Sequence, residues 1–133
     1  NHPEGMKGAV VTAMCIYMAR TGAHKSDILA YAVKNYPKDT YRYSVAFELN
    51  SYRDTYSWDV TCQGSVPVAI RCFLESEDYE SFLRNVYSLS CDMDTLCAIG
   101  GGIAEEFYHG TGFEDDLLLQ KYLNEELYQA VQK

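Results

Sequence analysis

The apolar positions of this chain recur mostly at helical spacing. From Gly5 to Arg20 almost every position is apolar, with Val10, Val11, Met14, Ile16, Tyr17 and Met18, which predicts a central helix with little polar surface. Thr21-Gly22 supplies its stop, because glycine accepts the left-handed backbone that ends helices. A second amphipathic helix follows through Ile28, Leu29, Ala32 and Val33, and Pro37 closes it. Residues 38–61 keep neither the helical nor the strand period for long, so they read as loop with one short helix. The aromatics there, Tyr41, Tyr43, Tyr52, Tyr56 and Trp58, have two readings. One is stacking on an adenine ring; the other, which is favoured, is ordinary packing with the hydroxyls in water.

Beyond residue 61 the pattern is clearer. Ser65 followed by Val66-Pro67 reads as an N-cap and first turn, with Val68, Ala69, Phe73 and Leu74 as the apolar side of a helix. Ser76-Glu77-Asp78 opens the next, where Tyr79, Phe82, Leu83, Val86 and Tyr87 fall at i, i+3, i+4, i+7 and i+8, the clearest stripe in the chain. After Asp92-Met93-Asp94 a helix runs through Leu96, Ile99, Ile103, Ala104 and Phe107 with Gly100-Gly101-Gly102 in its middle. Each interior glycine costs about 0.5–1 kcal/mol against alanine, so the run implies a close approach by another backbone or a ligand, and helix packing is the preferred reading. A last helix is expected from Asp115 to Val131, with Leu118, Tyr122, Leu123 and Leu127 along one side. Helical stripes throughout and no sustained alternation predict an all-α fold.

Composition narrows the picture. With 133 residues the chain is one domain by default, and 47% hydrophobic residues against 23% charged exclude disorder. Nineteen acidic side chains against eleven basic give a net charge of −8, which argues against nucleic-acid binding by charge. The sequence contains no apolar run long enough for a bilayer and shows no signal-peptide pattern, so no membrane partner is expected. Five cysteines without a Cys-x-x-Cys pair fit a reducing cytoplasm and read as small buried hydrophobes, not as nucleophiles.

The densest chemistry lies in Asp92-Met93-Asp94-Thr95, where two carboxylates and a hydroxyl meet within one helical turn. Hard divalent cations take oxygen ligands of this kind, and a bound Mg2+ or Mn2+ would offset the repulsion between the acids. Acids at a helix start also serve as caps and dipole partners, and from these four residues alone capping is the better-supported reading. An EF-hand is excluded, since counting from Asp92 puts Cys97 where the loop needs glycine and Ile103 where it needs glutamate. His2-Pro3-Glu4 lacks the Pro-Cys-x-x-Cys that a zinc deaminase requires, His24 and His109 read as turn histidines, and Ser65 lies in no nucleophile elbow.

Three segments carry a resemblance. NHPEGMKGA (1–9), CQGSVPVAI (62–70) and SLSCDMDTLCAIGGGIAEEFYHG (88–110) look like the C-terminal half of the ADP-ribosylglycohydrolases, in order and spacing from residue 1 to about 110. The resemblance implies an orthogonal multi-helix bundle, present here in part, with a two-metal Mg2+ or Mn2+ site that cleaves the glycosidic bond between ADP-ribose and a modified side chain. It implies that Asp92, Asp94 and Thr95 are the C-terminal metal ligands, and that the substrate is ADP-ribosylated protein or a small ADP-ribose conjugate; it assigns no catalytic acid or base within the chain. A second reading keeps the fold as a noncatalytic binding or structural module, as in the lens crystallins that resemble this family. Ser90-Cys91 favours that reading, because the family commonly has Gly-Gly there. Asn1 falls inside a motif and no initiator methionine precedes it, so the chain is expected to be part of a longer protein, inactive and self-associating by itself.

Overall fold

The computed structural model describes residues 2–57, 59 and 61–132; Asn1 and Trp58 therefore lie outside the described residues. Among these it contains eight helices and no strand: α1 (Pro3–Arg20), α2 (Lys25–Asn35), α3 (Leu49–Thr55), α4 (Cys62–Leu74), α5 (Tyr79–Tyr87), α6 (Met93–Tyr108), α7 (Asp115–Tyr122) and α8 (Glu125–Val131). The all-helical expectation is met, and α3 is the one short helix expected between residues 38 and 61.

Two boundaries differ from expectation. Helix α4 starts at Cys62, and Ser65 is a buried interior residue. Its cap is Thr61, whose Oγ1 accepts from Gly64 N at 3.1 Å while donating to Asp59 Oδ1 at 2.6 Å. This upstream turn supplies a stronger start than Ser65 can, and Pro67 is accommodated as the sixth residue of the helix. The last helix is two, because Asn124 interrupts it: its side chain accepts from Leu127 N at 2.9 Å and opens α8. Neither α7 nor α8 buries a residue, so Leu118, Tyr122 and Leu127 do not face the core.

The core is built around α6, which packs on α1, α4 and α5. Val11 and Cys15 of α1, Ile70 and Phe73 of α4, Phe82 of α5 and Leu96 and Ile103 of α6 are all fully buried. Gly100 explains why the helices come so close. A Cβ there would overlap the Phe82 ring and stand 3.0 Å from the Ala69 carbonyl oxygen. The glycine run is therefore a packing feature, as its position in mid-helix predicts. The aromatic segment is also core: Tyr43, Tyr52 and Tyr56 are buried against one another edge-to-face, with centroids 4.7–6.4 Å apart. The hydroxyls of Tyr52 and Tyr56 are not in water as expected, since Tyr52 donates to Ser44 O and Tyr56 to Gly64 O.

Gly100→Ala is expected to cost about 1–3 kcal/mol, because neither the Ala69 backbone nor a buried ring yields easily. Gly102→Ala meets only the flexible end of Ile16 at 3.3 Å and is expected to change stability by less than about 1 kcal/mol. Urea denaturation of the two variants checks the difference.

Candidate metal centre

The N-terminus of α6 gathers the three residues singled out above. Asp92 is the N-cap: Oδ1 accepts from Thr95 N at 3.4 Å and Oδ2 from Thr95 Oγ1 at 2.7 Å. The Thr95 hydroxyl therefore gives its proton inward, which leaves oxygen lone pairs free to accept. Asp94 is exposed, and no hydrogen bond among the described residues ends on it. Asp92 and Thr95 are thus joined, while Asp94 stands beside them with its charge unpaired.

Capping accounts for Asp92 in full, and the helix dipole favours an acid at Asp94 by about 0.3–1 kcal/mol. The donor chemistry fits a hard cation, but the number does not complete a shell. Six oxygens are the usual minimum, and among the described residues no group of three His, Cys, Asp or Glu side chains is placed to hold a metal ion. These residues can supply one side of a metal site.

The neighbouring side chains supply no nucleophile. Cys91 is buried and donates to Val86 O at 3.5 Å, and burial, with Cys97 and Asp92 nearby, raises its thiol to about 11. Burial and then Asp94 raise Cys97 as well. Of the Ser90-Cys91 pair, Ser90 alone faces outward. His2 caps α1 through Nδ1, which accepts from Glu4 N at 3.2 Å; His24 caps α2; His109 adopts the left-handed end of α6, with φ at 60°.

A feature that periodicity could not find is a cleft of about 440 Å3 lined by Glu4, Tyr41, Arg42, Asp59, Thr61 and Gln63 among others. It forms where the starts of α1 and α4 meet, so residues about 60 positions apart share it. Its carboxylates are engaged: Glu4 accepts from the Tyr41 hydroxyl at 2.9 Å, and Asp59 from Thr61 N at 2.8 Å. Tyr56 backs this cleft at Gly64. Its hydroxyl donates to Gly64 O at 2.5 Å, and burial together with Asp59 and Cys91 nearby pushes its pKa well up.

The all-helical core presents an Asp-x-Asp-Thr turn at the head of its central helix. The ADP-ribosylglycohydrolase family model matches residues 1–122, and the chain belongs to that family. No curated protein and no solved structure matches it. The match covers all three segments described above and ends at the last residue of α7.

Capping and charge at Asp92 are separable. Asp92→Ala should lose the cap and cost about 0.5–2 kcal/mol, whereas Asp92→Asn keeps an oxygen at the Thr95 amide and should cost a few tenths. Equal losses in thermal or urea unfolding would show that the charge, and not the cap, holds this turn.

Proposed function

We propose that the chain supplies one side of a metal-dependent site that hydrolyses the glycosidic bond of ADP-ribosylated protein or a small ADP-ribose conjugate. Asp92, Asp94 and Thr95 would hold Mg2+ or Mn2+. The observation that carries this reading is the oxygen-only trio at the start of α6, with Asp94 exposed and unpaired, in a chain of this family.

When bound, paired cations in such a site supply the charge that makes water nucleophilic and orients ribose hydroxyls. The residues' own part is positional. Asp92 fixes Thr95 Oγ1 through their hydrogen bond, α6 fixes both through its packing on α4 and α5, and Asp94 adds a full negative charge at the rim. In the hydrolysis, the bond from ribose C1 to the modified side chain breaks, water oxygen bonds to C1, and the departing side chain takes a proton.

No helix among the described residues is long and apolar enough to cross a membrane. All five cysteines are free thiols, which supports placing the protein in a reducing cytoplasm. The noncatalytic reading retains one supporting observation, the outward-facing Ser90 where the family commonly has glycine. Metal affinity separates the two.

Two carboxylates and a hydroxyl leave most coordination positions to water, so this chain should bind Mn2+ weakly and show no turnover of ADP-ribosyl-arginine. In a protein that carries both sides of the site, Asp94→Asn should weaken Mn2+ binding by at least about tenfold in titration calorimetry. Unchanged affinity in that variant would remove Asp94 from the site.

A further inference from the structure

The cleft at the starts of α1 and α4 lies at the same end of the molecule as the Asp92–Thr95 turn. Between α1 and α6, Ile16 meets Gly102 and Arg20 meets Glu106; between α4 and α6, Ala69 meets Gly100 and Phe73 meets Phe107. Gly5 and Gly8 of α1 face Cys62 and Val66 of α4 in the same order. The three helices therefore run parallel and begin together.

The polar groups on the α1 side of this cleft are already spent. Glu4 accepts from the Tyr41 hydroxyl and stands 3.4 Å from Lys7 Nζ, so its charge is balanced. Four groups on the other side are not spent. Arg42 is exposed, holds its guanidinium over the Tyr43 ring at 5.1 Å and forms no ion pair among the described residues. Tyr43 is only 6% exposed, yet its hydroxyl makes no hydrogen bond among them, and neither does the Gln63 side-chain amide. A hydroxyl on so buried a ring is costly to leave without a partner. Asp59 takes both Thr61 donors on Oδ1, at 2.8 and 2.6 Å, and leaves Oδ2 unpaired beside Gly64.

This unspent set carries both signs: a guanidinium fork, a hydroxyl and an amide that donate, and one carboxylate oxygen that accepts. A simple anion would meet Asp59, and a simple cation would meet Arg42. A ligand with a carboxylate and an ammonium satisfies both, and the head group of an α-amino acid is such a ligand. The cleft, at about 440 Å3, is of the size that takes small molecules. Within a protein chain the same residue has neutral amides in place of both charges, which would leave Arg42 and Asp59 uncompensated.

We propose that the cleft takes the head group of a free amino acid, with Arg42 on its carboxylate and Asp59 Oδ2 on its ammonium. The inference rests on the hydrolytic reading above and deepens it: the conjugate cleaved is an ADP-ribosyl amino acid and not a modified protein.

Titration of the full chain, followed by NMR amide shifts, tests it with two probes that share a side chain. L-Arginine should bind with a dissociation constant of about 1 mM, and Nα-acetyl-L-argininamide, which keeps the guanidinium but has neither head-group charge, at least about tenfold more weakly. Arg42→Gln should weaken L-arginine binding at least about tenfold with its unfolding temperature unchanged. Should that variant unfold early, Tyr43→Phe keeps the ring and should weaken binding about threefold. Equal affinity for the two probes overturns the proposal and gives the cleft to the main chain of a modified protein, leaving the metal-site reading intact. No shifts at about 10 mM L-arginine, or affinity unchanged in Arg42→Gln, overturns it as well. If L-arginine binds as described while a Mn2+ titration of the same sample leaves the α6 turn unmoved, the amino-acid site stands and the hydrolytic reading alone falls.

Discussion

The contact on which the structure most depends is the close approach of α6 to α4 and α5 at Gly100. A side chain there would collide with Phe82 and with the Ala69 carbonyl, so the helix backbone itself makes the contact. Close packing of this kind is rigid, because a buried ring and a backbone carbonyl have nowhere to move. It fixes the axis of the helix that begins with Asp92, Asp94 and Thr95. The geometry of the candidate metal centre is thus inherited from a glycine two turns away.

A second constraint acts on the residues that precede that helix. Tyr56 is buried between Gly64, whose carbonyl it bonds, and the loop at Cys91 that leads into Asp92. Asp59 and Thr61 organise the start of α4 by a short chain of hydrogen bonds, and Glu4 is held at the start of α1 by Tyr41. The starts of α1 and α4 are therefore each anchored by a tyrosine hydroxyl, Tyr41 on Glu4 and Tyr56 on Gly64 O. Acids in the first turn of α1 and α6, Glu4 and Asp94, are favoured by the helix dipole as well.

Much of this was legible in the sequence because helical periodicity reports burial directly. The stripe on α5 and the Asp92 cap need only spacing and residue type, and Gly100 reads as packing because glycine in mid-helix has few other uses. The start of α4 escapes local reading because Ser65-Val66-Pro67 imitates a first turn, while the real cap depends on Asp59 reaching forward to Thr61. The division of the C-terminal helix into two escapes it as well, because apolar residues continue in period across Asn124 and the cap that splits it is one side-chain hydrogen bond. The cleft at Glu4 and Asp59 was invisible for a different reason: it is made by tertiary approach, and no local pattern records that. At the metal centre, residue type gave the donors, but the partition into a joined Asp92–Thr95 pair and a free Asp94 is a matter of rotamers.

The central claim is that the start of α6 is a ligand for a hard divalent cation and not only a capped helix end. Anomalous diffraction from crystals of the chain soaked in Mn2+ tests it most directly. The account predicts a manganese peak at about 2.1 Å from oxygens of Asp94 and Thr95, with Asp92 still accepting from the Thr95 hydroxyl. A peak only at other carboxylates, or none at this turn, would contradict it.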